Sequence, residues 1–309
     1  MLTVVLLAFA LLAGSASFAH AHVDPDADAA ATLQYLQAII VTAATLLYAA
    51  GVYRIRCSVG HDRVVSRSQT LAFAVAAILL IVALSQPVDA ITDALFSAHM
   101  AQHLVLMLLI PPLVVWSRPV VVGFWAFPLE AKKTLNAPAS RVLRAAISWL
   151  MQPLVVAVLF LGTFSFWHLP RPYAWSLENE WIHAFEHLTF LVTAIMFWKL
   201  VIEPSGRRTM GYYATLIYVA AIAVLSGLPG ALMLLSPVAL FKAHDSVSAV
   251  WGLTPLEDQQ IAGLIMWIPA GLLFLVPIAV LFIKAMMADA PARRIRVGHA
   301  GGVELGIRR

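Results

Sequence analysis

Residues 99–122 read HMAQHLVLMLLIPPLVVWSRPVVV, and Arg118 is the one formal charge among them. A helix of this length crosses the ~30 Å hydrocarbon layer of a bilayer. Comparable runs recur at 33–53, 70–86, 150–168, 182–202, 211–234 and 258–286. Inside lipid the backbone must satisfy its own hydrogen bonds, so such runs form helices or closed barrels. Barrel strands alternate in polarity, and these runs do not. The expected fold class is therefore an all-α integral membrane protein, a bundle of about seven transmembrane helices. Composition agrees: 61% of the 309 residues are apolar and 12% are charged, against ~25% charged in soluble domains.

The segments between the runs set an orientation, because Lys and Arg gather on the cytoplasmic side. Connections 54–69, 117–149 and 199–210, with the tail from Lys284, hold 18 of the 20 basic residues. The opposite set, 20–32, 87–98, 169–181 and 235–257, holds Arg171 and Lys242. This predicts an outer N terminus and a cytoplasmic C terminus. The net charge of +4 is spread over connections and forms no basic stripe interleaved with aromatics, which excludes a nucleic-acid surface. A lone Cys57 excludes an internal disulfide and reads as a free buried or interfacial thiol.

Residues 1–21 are apolar and end in small residues, so they resemble a secretory signal peptide, or else supply an extra helix. Residues 22–286 form the seven-helix transmembrane domain, and 287–309 a basic cytoplasmic tail. Pro111-Pro112, Pro229, Pro269 and Pro277 lie within spans and are expected to kink or break them. The polar stretch 130–140 reads as a surface loop or an interfacial helix.

Placed on this topology, His61 and His299 are cytoplasmic. The other eight histidines, His20, His22, His99, His103, His168, His183, His187 and His244, fall at or beyond the outer face. His99 and His103 stand four apart, as do His183 and His187, so each pair shares a helix face. Imidazoles at that spacing can hold one metal ion between successive turns. Glu186 adjoins the second pair, His168 ends the fourth span at the same depth, and Asp258 opens the seventh. Ionisable groups within spans are expensive and mark function. The candidate metal set is His99, His103, His183, His187, His168, Glu186 and Asp258. Imidazole suits zinc or copper alike, and the thioethers of Met100 and Met107 incline the choice modestly to copper.

Four blocks carry a family resemblance: His99-Met-Ala-Gln-His103 with the run after it, Trp167-His168, His183-Ala-Phe-Glu186-His187-Leu, and Asp258-Gln-Gln-Ile-Ala-Gly263 leading to Met266-Trp267. In this order they resemble the multi-span CtaG family of cytochrome c oxidase assembly factors. The resemblance extends over most of the chain. It implies a seven-helix protein of the bacterial cell (inner) membrane that helps deliver copper to the oxidase. Its partners would be oxidase subunits or other copper-delivery proteins, within the lipid bilayer. His20 and His22 are not part of the family pattern.

Three rival activities use the same residues. A copper transporter would move the ion inward. A haem protein would take one axial histidine from each pair. A metalloprotease would use His183-Ala-Phe-Glu186-His187 as an H-x-x-E-H string, though this string starts a membrane span. No nucleophile constellation or phosphate-binding glycine loop is present, and no enzymatic activity is expected.

Overall fold

The computed structural model describes residues 25–59, 64–128, 139–202, 208–241 and 251–289, all helix and connection with no strand among them. The helices are α1 (Pro25–Ser58), α2 (Arg67–Ala83), α3 (Gln86–Ala94), α4 (Phe96–Leu104), α5 (Ile110–Ser117), α6 (Pro119–Ala126), α7 (Ala139–Leu150), α8 (Pro153–Trp167), α9 (Pro170–Glu178), α10 (Glu180–Ile202), α11 (Tyr212–Leu235) and α12 (Pro255–Asp289). The signal-like segment, residues 130–138 of the polar stretch and residues 290–309 of the tail lie outside the described residues, while 139–140 open α7 and 287–289 end α12.

Among the described residues, five segments are long and apolar enough to cross a membrane: Ala31–Ser58, Phe96–Ser117, Glu180–Ile202, Tyr212–Leu235 and Pro255–Ala288. Two bent pairs raise the number to seven if each counts as one span: α2 with α3, bent by 53°, and Val142–Leu150 with α8, bent by 65°. The runs 70–86 and 150–168 fall on these pairs. Leu, Ile and Val side chains stand exposed along the outside of the bundle, as on Ile39, Ile40, Leu154, Ile217 and Leu232. In water that much apolar surface would drive association; in hydrocarbon it is solvated. Cys57 is free and exposed near the end of α1.

The third run departs from its expected form twice. It ends at Ser117, because Arg118 takes a left-handed conformation with φ 53°. Pro119 then opens α6 as a separate helix. The carbonyls released at the end of α5 find side-chain donors: Tyr48 Oη donates to Ser117 O at 3.0 Å, and Gln69 Nε2 to Trp116 O at 3.1 Å. Earlier in the same span, Val105–Leu109 winds as a single π-helical turn between α4 and α5.

Pro111-Pro112 follows that turn without breaking the span. In an α-helix, Pro111 would leave Met107 O without its donor. Trp198 Nε1 on α10 takes that place, donating to Met107 O at 2.9 Å. Neighbouring helices commonly rescue proline in membranes in this way. Trp198→Phe keeps most of the packing and strands the carbonyl, so the expected loss is about 1–3 kcal/mol. Thermal unfolding in detergent measures it, and an unchanged midpoint would show that the bond carries no weight. Helices α11 and α12 likewise run on through Pro229, Pro269 and Pro277.

Helices α11 and α12 share the most extensive helix–helix contact among the described residues. Gly230 and Gly263 make this possible: a Cβ on Gly263 would lie 2.5 Å from Gly230 O and 2.6 Å from Leu234 N. Small residues at membrane crossings let backbones approach in this manner. The main core lies among α8, α10, α11 and α12, around Phe160, Phe190, Phe197, Trp198 and Phe274. At one end of that core the chain breaks into α3, α9 and the first turns of α4 and α10, and the polar side chains collect there.

Candidate metal centre

His99 and His103 come from α4, His183, Glu186 and His187 from the first turns of α10, and His168 from the C-cap of α8. Glycine-free, regular helix puts each i, i+4 pair on one face, and the two faces meet. Ring centroids lie 4.4 Å apart for His99–His103, 4.3 Å for His183–His187, 5.2 Å for His99–His183 and 5.3 Å for His103–His187. His168 stands 5.9 Å from His103. Among the described residues, two sets of three have ligand atoms all within 4.8 Å of one another: His99, His103 and His187, and His99, His183 and Glu186. The spacing of 99/103 and 183/187 thus brings together six of the seven residues singled out in the sequence.

The cluster is dry. His99 and Glu186 are fully buried, and His103, His168 and His187 are buried. No hydrogen bond reaches His103 Nδ1 or Nε2, His168 Nε2, His183 Nε2 or His187 Nε2. Glu186 has none of ordinary geometry either. The Ser176 hydroxyl stands near its carboxylate but donates to Tyr173 O at 2.8 Å. Its nearest charge partner is His103, with Nε2–Oε1 at 3.6 Å. Buried polar atoms are nearly always hydrogen-bonded, and a concentration of exceptions calls for a chemical explanation. A cation bound by imidazole lone pairs beside one carboxylate supplies it, so the residues fit a metal ion.

His168 carries its own orienting bond. Its Nδ1 lies 2.6 Å from Phe164 O, which sits one turn back on α8. A neutral ring donating there has its lone pair on Nε2, the arrangement that metal-ligating histidines use. Tyr173, on α9, packs edge-on against His99 with centroids 5.2 Å apart and closes the cluster from that side.

Asp258 stands apart from these residues. Its Oδ2 accepts from Phe96 N–H at 2.8 Å and its Oδ1 from Ser97 N–H at 3.0 Å. It is an N-cap supplied from α12 to α4, with both oxygens engaged. Gln259 beside it staples the connection after α11, donating to Met233 O and Val238 O at 3.2 Å each. Glu257 pairs with Thr254 in a reciprocal capping box. Thr254-x-x-Glu257 is legible as such in the sequence. Asp258 is not, because its partner lies 162 residues away.

Two features near the cluster escaped the sequence. A polar crevice leads to His183 and His187 past Gln34, Gln37, Asp89 and Glu180. The Gln102 amide braces it, donating to Ala83 O at 2.6 Å and Asp89 Oδ1 at 3.1 Å across the α2–α3 bend. On the other side, a cavity lined by His103, His168 and several thioethers runs inward. His20, His22, His61, His244 and His299 lie outside the described residues.

Residues 46–288, which hold every member of the cluster, match the family described as the cytochrome c oxidase caa3 assembly factor. The chain belongs to that family. This CtaG family match covers four fifths of the sequence and includes all four blocks on which the resemblance rested. Among curated proteins, an uncharacterised protein of Mycobacterium leprae is 27% identical over 231 residues, covering 71% of this chain and 34% of its own. Uncharacterised proteins of Mycobacterium bovis and Mycobacterium tuberculosis are each 27% identical over 188 residues, covering 58% of this chain and 28% of theirs. The chain thus spans about a third of the length of these relatives. No solved structure matches it.

Proposed function

We propose that this CtaG-family protein holds copper at the outer face of the bacterial cell membrane and assists its delivery to cytochrome c oxidase during assembly. The convergence of two His-x3-His pairs in one buried cluster carries the proposal. The orientation draws on the distribution of basic residues, 18 against 2. It puts the N terminus and the imidazole cluster outside, the C terminus in the cytoplasm, and counts each bent pair as one of seven spans. The ligand set is then His99, His103, His183 and His187, with Glu186 and His168 beside them. Asp258, included with them on its position at the start of α12, serves instead through the placement of α4. The copper is cargo, and the carboxylates at the crevice mouth, Asp89 and Glu180, would draw a cation toward the rings. No catalytic step is assigned.

A transport activity draws on the cavity that runs inward from the cluster. One experiment separates the two. Deleting the gene is expected to lower cytochrome c oxidase activity several-fold at unchanged total cellular copper, with partial recovery when copper is added to the medium. A transporter alters cellular copper as well, because flux is its whole effect. Normal oxidase activity beside a changed copper content would overturn delivery in favour of transport.

A further inference from the structure

A small cavity of about 40 Å³ adjoins the imidazole cluster at His103 and His168. It runs along α4 from Met100 to Leu108, walled by α8 and α12. Set into a mostly phenylalanine, leucine and alanine wall are His103, His168, Met100, Met107, Met266 and Ser226. Three of the chain's ten methionines thus meet two imidazoles around one space. Met100 and Met107 come from one span and Met266 from α12, and all three are buried. Met266 is fixed at the α11–α12 crossing, where a Cβ on Gly230 would come within 2.9 Å of Met266 Cβ. The bond from His168 Nδ1 to Phe164 O leaves Nε2 as the free lone pair, and no hydrogen bond reaches it.

The two neighbouring sites differ in charge. The outer cluster contains the Glu186 carboxylate, which suits a divalent ion. The cavity lining contains no carboxylate. The cost of burying an ion in an apolar medium rises with the square of its charge, so neutral ligands in an apolar site favour a monovalent one. Thioether sulfur selects Cu(I) over zinc or Cu(II).

We propose that the cavity is a second metal station, selective for a soft monovalent cation. Its ligands are His168 Nε2 and the sulfurs of Met100, Met107 and Met266. His103 belongs to both walls, so its ring links the outer cluster to this station. The inference rests on the copper reading of the cluster for the origin of the ion alone.

Silver(I), which shares the ligand preference of Cu(I), and Zn(II) are the probes. Each is titrated onto the metal-free full chain in lipid nanodiscs. The variant Met100→Leu/Met107→Leu/Met266→Leu, nearly volume-conserving, is expected to lose silver affinity by about 100-fold while Zn(II) binding is unchanged. His168→Ala is expected to weaken silver in the same direction. X-ray absorption of the Cu(I)-loaded wild type is expected to show sulfur scatterers that the triple variant lacks. Where the triple variant fails to accumulate, Met100→Leu and Met107→Leu are tested singly, with weakened silver binding expected in each. Nitrogen-only coordination of Cu(I), or silver binding untouched by loss of the thioethers, overturns the second station. Absent Zn(II) and Cu(II) binding beside an intact sulfur signal instead removes the outer cluster and leaves the cavity standing.

Discussion

Replacing His99 and His103 together with alanine is expected to reduce the Cu(II) retained by the outer cluster of the purified protein to background. The two rings supply members to both candidate ligand sets, since His99 belongs to each and His103 to one. Tyr173 and Phe190, which pack against these rings, supply no imidazole or thioether in their place. Loss of a residue that merely orients a ligand costs ~10–100-fold in metal affinity, so loss of two ligands exceeds that. His183→Ala with His187→Ala is expected to do the same from the facing helix. The fold itself is expected to persist, because lipid-buried helices form without metal. Metal analysis of variants matched for membrane accumulation measures the effect. Full copper retention in both double variants would make the pairs structural anchors.

Asp258→Ala is expected to act in the opposite pattern, damaging stability and sparing the metal chemistry. Removing its carboxylate strands the Phe96 and Ser97 donors in a buried site, at ~1–3 kcal/mol for each unsatisfied group. The N-terminal end of a helix also favours a negative charge by about 0.3–1 kcal/mol. The expected result is a drop of many degrees in the unfolding midpoint in detergent. Asp258→Asn, which keeps one acceptor, is expected to lose less. Protein that survives purification should carry copper at the wild-type ratio. A stable Asp258→Ala protein devoid of copper would return Asp258 to the ligand set.

The contrast between these residues shows where sequence was sufficient. The His-x3-His pairs are local patterns, and a helix converts local spacing into a shared face, so four of the proposed ligands were legible before any tertiary information. Glu186 and His168 followed from their positions at the same depth. Asp258 shared that depth too, and depth alone does not distinguish a ligand from a cap. The difference lies in where its oxygens point across the bundle, which depends on the packing of α12 against α4. The Met266 position was hidden for a similar reason: a methionine in an apolar run is an ordinary filler until its helix is set against its neighbour. Hydrophobic runs gave the helices and their order. They concealed the bends at Leu84–Ser85 and Met151–Gln152, because a short break between two apolar segments changes composition very little. The prolines pointed to kinks or breaks, yet Trp198, reaching from α10, takes up the carbonyl that Pro111 frees.

The π-helical turn at Val105–Leu109 has a geometric consequence for the residues on either side. Such a turn is equivalent to one extra residue inserted into an α-helix, and one residue corresponds to about 100° of azimuth. The two halves of the span are therefore out of phase. Upstream, α4 faces α12 and α3; downstream, α5 faces α2 and α10. A helical wheel drawn without interruption from Phe96 to Ser117 assigns one half to the wrong neighbours. The offset lets a single stretch of chain present His99 and His103 to α10 across the cluster while Ile110 and Val115 are buried in a differently oriented interface. Sequences of relatives with a straight helix here would align correctly only with a one-residue gap inside the turn.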